Sequence, residues 1–209
     1  MTILTDAGRH ALLTGGLGNA ITHYSVHTAF PGLTGANEAA GGTPAYARKA
    51  ATWAAAAAGK RANSAAAAFD LPAGTYGWAG GWSASTAGTF YAATPLGGKP
   101  MRSVSLQGTG ATSTTVFTQP NHGLANGARL VLFDVSATGM PAGFAEGTTY
   151  FVVNATVNTF QLAATAGGTP IASTSSTEVF AKEQVPVVLS AQGVLDLGAG
   201  ASILNATIL

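Results

Sequence analysis

The sequence predicts an all-β protein, built as a jelly-roll-like β-sandwich with a short N-terminal helix and an inserted small β-domain. Its 209 residues include 28 glycines and 9 prolines but only 8% charged residues, a composition typical of short strands joined by tight turns. In the second half, strand-like runs follow turn residues about every ten positions. The Ala/Gly/Leu-rich composition of the first half returns near the end, so we predict a discontinuous domain (1–107 plus 180–209) interrupted by a module (108–179).

The first elements are a predicted helix and a predicted strand. Residues 5–14 favour a helix, because Thr5 can serve as its N-cap and Asp6 lies where the helix dipole stabilises a negative charge. The helix should end at Gly15. Residues 21–28 alternate between two faces, which indicates a strand.

The two alanine tracts, residues 54–58 and 65–68, are ambiguous. Alanine is the best helix former, but Gly59 and Asn63 interrupt the tracts and no stripe of large side chains would anchor a helix to a core. We therefore predict strand, loop, strand in this region. The other strands predicted in the first half are residues 46–53, 76–83 and 90–94.

The second half has a clearer strand pattern. Turn residues such as Asn121-His122-Gly123 and Pro141-Ala142-Gly143 separate its apolar runs. The predicted strands of this module are residues 116–118, 129–135, 149–154 and 159–162. Residues 185–190 and 193–209 should then supply the last strands of the discontinuous domain.

The charge balance argues against nucleic acid as a partner. Nine Lys and Arg residues against eight Asp and Glu residues give a net charge of +1, without a basic stripe or patch. Soluble monomers usually carry roughly 25% charged residues, so much of this surface is expected to face other protein. The alternative is a surface of Ser, Thr, Asn and Gly, which is polar without being charged.

Several site types and locations are excluded by residue content. With no cysteine, the chain has no disulfide, no thiolate metal site and no cysteine nucleophile. No apolar run approaches the roughly 18 residues that a membrane span requires. The N-terminal sequence does not resemble a signal peptide, so we expect synthesis in the cytoplasm.

We find no constellation of residues that would support catalysis. His23 and His27 share a face of the predicted strand, but roughly 13 Å between their Cα atoms is too far for one metal ion. We expect them to pack at a subunit contact or point to solvent. His122 is expected to be a turn residue. Apart from Glu178 and Glu183, which flank a polar linker, the acidic residues do not form a carboxylate pair within a strand. The sequence therefore predicts no catalytic residue, no cofactor and no metal ion.

Gly15-Gly16-Leu17-Gly18 also fails as a phosphate-binding loop. Such a loop opens a helix and is followed by Lys and Ser or Thr, whereas these glycines follow the predicted helix.

Three aromatic residues are the best candidates for contacts. Tyr76, Trp78 and Trp82 fall on one side of a predicted strand, so they should be buried together or exposed together. Burial in the core is the default expectation. Exposed, they could form a subunit-binding or sugar-stacking face.

An ordered series of short sequence motifs runs through the first half of the chain. These motifs are residues 27–32, 35–38, 44–48, 59–63 and 82–90. This series resembles a family of small phage proteins labelled tail fibre or minor tail proteins, and residues 189–193 and 197–209 are similar to that family's last strands. The sequence departs from the family at Phe30, where an acidic residue is usual. The resemblance implies a place in the virion and carries over no catalytic residue.

A second resemblance covers the predicted module. Residues 122–127, 141–143, 147–154 and 158–162 are similar to a small β-module that recurs, often in tandem, in phage tail and fibre polypeptides.

Together these observations predict a non-enzymatic structural protein of a bacteriophage virion, of the minor tail or tail-fibre type and assembled in the host cytoplasm. Its expected partners are copies of itself, as a trimer or larger ring, and other virion proteins. The first alternative is a capsid decoration protein, which would share this composition. The second is a module that binds host surface glycans through Trp78 and Trp82.

Overall fold

The fold is known from a computed structural model that describes residues 14–57, 60–99, 102–107, 115–134, 139–173, 178–200 and 203–205. The predicted helix at residues 5–14 lies, apart from Thr14, outside the described residues. The first elements along the chain are α1 (Leu17–Ala20), β1 (His23–His27), β2 (Lys49–Ala50), β3 (Lys60–Ala62), β4 (Ala67–Leu71), β5 (Gly74–Tyr76), β6 (Trp78–Trp82) and β7 (Phe90–Pro95).

The remaining elements are all strands. They are β8 (Arg102–Gln107), β9 (Val116–Thr118), β10 (Arg129–Asp134), β11 (Thr149–Val153), β12 (Thr159–Ala163), β13 (Glu178–Gln184), β14 (Val187–Leu189), β15 (Gly193–Leu197) and β16 (Ile203–Asn205). The all-β prediction is therefore confirmed. No helix in the described part of the chain has the length and hydropathy that crossing a bilayer requires.

The chain forms two compact units, which we call the discontinuous unit (Met1–Thr94 and Val187–Leu209) and the inserted unit (Pro95–Pro186). The inserted unit extends beyond the predicted module, residues 108–179, at both ends. The reason is pairing, because β8 and β13 hydrogen-bond to each other and to strands of the module. The residues before β13 include none of the Asn, Gly and Pro that mark turns elsewhere in the sequence.

The inserted unit is a closed barrel in the strand order β10-β11-β12-β9-β8-β13. The strands predicted in the module are present as β9 to β12, with ends within one residue of the prediction. Alternate side chains of these strands point inward and form its core. Fully buried members of this core include Phe117, Leu132, Val152, Phe160 and Val179.

The discontinuous unit contains a four-stranded antiparallel sheet in the order β2-β1-β6-β7. All five residues of β6, at the centre of this sheet, are buried. The strand predicted at residues 46–53 is shorter than expected, because only β2 and an isolated pairing of Trp53 with Asn63 form there. The alanine tract at 65–68 leads into β4 as predicted, whereas residues 54–57 form no strand of their own.

A two-stranded ribbon joins the two separated parts of the discontinuous unit. Its three segments are β3 with β16, β4 with β15 and β5 with β14, in reverse order along the chain. Phe69 lies opposite Leu195 and Tyr76 opposite Val187, so the ribbon keeps nearly one register throughout. The jelly-roll-like sandwich stays a prediction, since the described strands of this unit pair as one sheet and this ribbon.

Candidate functional site

The most concentrated group of polar side chains in the discontinuous unit begins on β1. Ser25 and His27 are fully buried, and Ser25 Oγ lies 2.7 Å from His27 Nε2. On the other side of the ring, His27 Nδ1 lies 2.8 Å from the carbonyl oxygen of Ala36. Trp82 Nε1 donates to Ser25 Oγ over 2.9 Å.

These three hydrogen bonds fix where the protons are. The Ala36 carbonyl can only accept, so Nδ1 of His27 must carry the proton and donate it. Nε2 is then an acceptor and receives the Ser25 hydroxyl proton, while Ser25 Oγ accepts from the Trp82 indole. The chain of bonds therefore runs from Trp82 through Ser25 and His27 to Ala36, and it requires a neutral imidazole.

Burial favours the same neutral form. Desolvation lowers the pKa of His27, and the nearby Arg48 charge acts in the same direction. The hydrogen bond to Ala36 and the charge of Glu38 oppose this effect without reversing it. His27 is therefore uncharged at neutral pH.

The Ser25–His27 pair resembles the nucleophile and base of a hydrolase, but its surroundings prevent that chemistry. Both side chains are 0% exposed. A Cβ atom added at Gly80 would lie 2.6 Å from His27 Nε2, so the backbone of β6 presses directly on the pair. Since a nucleophile must reach a substrate, this network holds structure together and has no access for a reaction.

A second polar group lies beside the first and is centred on an ion pair. Arg48 Nε donates to Glu38 Oε1 over 2.8 Å and Arg48 NH2 donates to Glu38 Oε2 over 2.7 Å, a bidentate arrangement. The Tyr46 hydroxyl donates to the same carboxylate at 2.9 Å and accepts from the Val26 backbone N–H at 3.2 Å. The two side chains of the ion pair are only 9% and 20% exposed.

The guanidinium of Arg48 makes further contacts that tie separate segments together. Its NH1 group donates to the carbonyl oxygens of Ala84 and Ala87, and its Cζ atom lies 3.4 Å from the centre of the Trp82 ring. Arg48 thus links the loop before β2, the end of β6 and the turn that follows it. We call the residues Ser25, His27, Glu38, Tyr46, Arg48 and Trp82 the polar core.

The electrostatics of the polar core follow from these contacts. Burial alone would raise the pKa of Glu38, but hydrogen bonds from Arg48 and Tyr46 and the Arg48 charge together lower it. Burial raises the pKa of the Tyr46 hydroxyl well above its usual range. At neutral pH the group therefore contains one carboxylate, one guanidinium and otherwise neutral side chains.

The three candidate contact aromatics are buried together, as expected for side chains that lie on one side of a strand. Tyr76 and Trp78 are each 2% exposed and Trp82 is 7% exposed. The Tyr76 hydroxyl donates to the Pro72 carbonyl at 2.9 Å, and Phe30 packs against Trp78. Their assignment as a contact face is wrong, because ring faces covered by their own domain cannot stack on a sugar or a partner.

The histidines differ from prediction in one respect. His27 is neither at the surface nor pointing to solvent, because its ring nitrogens have partners inside the unit. His23 is partly exposed and its Nδ1 lies 2.9 Å from Thr22 Oγ1.

His122 is a turn residue, as predicted. It lies between Asn121 and Gly123, both at positive φ, and its Nδ1 accepts from the Leu124 backbone N–H at 2.9 Å. Across the described residues, His, Asp and Glu side chains form no group of three or more suited to a metal ion.

The Glu38–Arg48 pair was missed by sequence reasoning. A signal was present, because both are charged residues in a chain that is only 8% charged. The chain matches no protein-family model, no curated protein and no solved structure.

Gly35 lies in the loop between β1 and β2, and replacing it tests how tightly this loop packs on the polar core. Gly35 and Gly41 have φ values of +77° and +79°, but a Cβ at Gly35 would collide with the Trp82 ring whereas a Cβ at Gly41 would meet nothing within 4 Å. In both alanine variants, backbone strain should lower the free energy of unfolding by about 1–2 kcal/mol. In Gly35→Ala, overpacking against Trp82 should lower it by a further ~1–3 kcal/mol. Urea unfolding followed by tryptophan fluorescence measures the stability of both variants. Equal losses of stability in Gly35→Ala and Gly41→Ala would contradict the close contact between Gly35 and Trp82.

Proposed function

We propose that this chain is a structural protein of a bacteriophage virion, of the minor tail or tail-fibre type. It works through contacts with copies of itself and with other virion proteins. The observation that carries the proposal is the very low charge, with 8% charged residues where soluble monomers have roughly 25%. The resemblance of the ordered motifs in residues 27–90 to phage tail proteins supports a location in the tail of the virion.

The way the discontinuous unit uses its polar groups also supports a structural role. Glu38 and Arg48 are committed to each other, and Ser25 and His27 to a sealed hydrogen-bond chain. These polar side chains connect segments of the fold. A fold stabilised in this way suits a structural protein that must stay rigid within a virion.

Exposed apolar side chains on the ribbon support a role in protein contacts. Val188 on β14 and Val194 on β15 are 70% and 60% exposed. Val188 lies opposite Thr75 and Val194 opposite Asp70, on the outward side of the strands whose inward side holds Tyr76 and Phe69. Apolar residues in such positions favour association with other protein.

The proposal predicts self-association of the purified protein. Size-exclusion chromatography with light scattering should give the mass of a trimer or larger ring at high concentration. Replacing Val188 and Val194 together by lysine should shift the mass towards that of the monomer. The matched control is Val157→Lys, since Val157 is also exposed, at 67%, but lies in the inserted unit. A wild-type protein that stays monomeric at high concentration would count against the oligomer.

The location is tested separately, on particles. Gold-labelled antibody against the protein should bind the tail of phage particles released from a host that carries the gene, at tens of copies or fewer. Labelling over the whole capsid surface at hundreds of copies would instead identify a decoration protein. Particles without label would contradict a virion role.

A further inference from the structure

The sequence contains a single Asn-Gly dipeptide, Asn126-Gly127, which lies in an exposed turn of the inserted unit just before β10. The Ala128 N–H donates to Ala125 O over 3.1 Å and Gly127 has a φ of +86°, so residues 125–128 form a β-turn with glycine at its third position. Asn-Gly is the dipeptide in which asparagine loses its amide most easily, because glycine has no side chain to shield its backbone nitrogen. The turn is therefore a candidate for covalent change without an enzyme.

The reaction at such a dipeptide is an intramolecular cyclisation. The backbone nitrogen of Gly127 attacks Cγ of Asn126, and a C–N bond forms as the bond from Cγ to Nδ2 breaks. The leaving amide nitrogen takes the proton that the Gly127 nitrogen loses and departs as ammonia. Water then opens the resulting succinimide ring at one of its two carbonyl carbons, which gives either aspartate or isoaspartate.

The folded barrel holds both reacting groups in hydrogen bonds. The Gly127 N–H donates to Val152 O over 2.8 Å, as part of the pairing that leads into β10 and β11. The Asn126 side chain accepts from the Ala155 N–H through Oδ1 at 2.9 Å. Cyclisation has to break both bonds, because the Gly127 nitrogen must lose its proton and the Asn126 amide must turn towards it.

These two bonds lie at one end of the barrel. The Asn126 turn precedes β10, and Ala155 lies in the loop between β11 and β12. Asn126 and Gly127 are both exposed, and hydrogen bonds of exposed turns open locally at a lower free-energy cost than those of core strands. The reacting groups can therefore be released without unfolding of the whole barrel.

We propose that Asn126 is a site of spontaneous deamidation, which the closed turn protects and which local opening at this end of the barrel makes reactive. The proposal concerns the inserted unit alone and does not depend on the virion role. Its reactants are the dipeptide itself and water, so no cofactor or partner is required.

The two products should differ in their effect on the barrel. Aspartate fits the closed turn, because its carboxylate oxygen can accept from the Ala155 N–H as the amide oxygen does. In isoaspartate the main chain runs through the former side-chain carbon and is longer by one methylene. The longer chain should displace the Gly127 N–H from Val152 O, while the Val152 N–H is held at 2.8 Å by Ala128 O on the next residue. Formation of isoaspartate should therefore loosen this end of the barrel irreversibly.

The test incubates the purified full-length protein at neutral pH and follows the change from amide to acid at Asn126 by peptide mass spectrometry. In the folded protein, deamidation of Asn126 should be at least about tenfold slower than in the same protein unfolded in urea. In urea it should be many times faster than deamidation of Asn154 and Asn158, which are exposed asparagines of the same unit without a following glycine.

A second comparison changes the opening of the barrel and leaves the dipeptide intact. Phe160→Ala removes a ring that is 1% exposed in the barrel core and should raise the rate at Asn126 towards the rate in urea. Val157→Ala, at a position that is 67% exposed, is the matched control and should deamidate at the wild-type rate. Asn126→Asp, which makes one product directly, should keep the wild-type amide protection of Ala155, whereas the isolated isoaspartate form should lose it.

Three outcomes would overturn the proposal. Equal rates at Asn126 in the folded and the unfolded protein would show that the turn does not protect the dipeptide. A rate in urea no faster than at Asn154 and Asn158 would show that Asn126 is no special site. Wild-type protection of Ala155 in the isoaspartate form would show that the modification does not loosen the barrel.

Discussion

Replacing Arg48 by methionine is expected to lower the free energy of unfolding of the discontinuous unit by about 3–5 kcal/mol. The substitution removes both hydrogen bonds to Glu38 and both bonds to the carbonyl oxygens of Ala84 and Ala87. It leaves a largely buried carboxylate without its cation, which is the main source of the loss. Arg48→Lys should also be destabilising, because an ammonium cannot reproduce the bidentate bond or the stacking on Trp82.

Tryptophan fluorescence in urea is the appropriate measurement. All three tryptophans of the chain, Trp53, Trp78 and Trp82, lie in the discontinuous unit, so the signal reports on that unit. The control is Lys49→Met, which removes the neighbouring Lys49–Asp70 pair. That pair is 3.6 Å long with side chains 34% and 35% exposed, and should contribute no more than about 1 kcal/mol. Similar losses for the two methionine variants would contradict a stabilising role specific to Arg48.

Replacing Phe160 by alanine is expected to destabilise the inserted unit by about 3–5 kcal/mol. Phe160 is 1% exposed and stacks on Phe117 with centroids 5.4 Å apart and an angle of 8° between the rings. Phe160 also makes a T-shaped contact with the His122 ring, with centroids 5.1 Å apart. Truncation would leave a cavity at the centre of a barrel whose surrounding strands are fixed by closure, so the site cannot readily collapse.

Amide exchange in β10 and β11 measures this loss, because these strands form part of the barrel wall. Val157→Ala is the control, since Val157 lies three positions earlier and is 67% exposed. Its effect should stay within about 0.5 kcal/mol. If Phe160→Ala left the protection of β10 and β11 unchanged, the barrel core would not depend on this ring.

The barrel strands could be predicted from the sequence because local signals agree there. Asn121 and Asn154 have positive φ values, a conformation asparagine tolerates better than most residues, and each marks a turn beside a short apolar run. Alternation within β11 and β12 then sets which side chains enter the core. Turn chemistry and periodicity are both local properties, so the strand ends were predicted closely.

The ribbon and the unit boundaries could not be predicted in the same way. Pairing of Ala67 with Leu197 joins residues far apart in sequence, and alternation within one strand does not identify its partner. The ends of the inserted unit were missed for the same reason. Its first and last strands, β8 and β13, are recognised by their pairing with each other and not by a change in composition.

For the polar core, the sequence predicted positions but not contacts. Alternation correctly placed His23 and His27 on one face of β1, yet only the tertiary structure makes one of them partly exposed and the other fully buried. Glu38 and Arg48 are ten positions apart in sequence, and no periodicity describes the path of the loop between them. Such contacts depend on how the loop returns to the sheet, where the Arg48 guanidinium stacks on the Trp82 ring.

The inserted barrel has a consequence for the order of folding. The backbone N–H of Val185 bonds to Leu96 O over 2.9 Å, so the entry and exit of the barrel lie side by side. Before the barrel folds, joining Tyr76 to Val187 closes a loop on the order of 100 residues; a folded barrel shortens the effective loop about fivefold and removes ~1.4 kcal/mol of closure entropy. Because the ribosome synthesises the barrel before residues 187–205, the barrel can fold first. The later strands β14 to β16 can then pair with β5, β4 and β3.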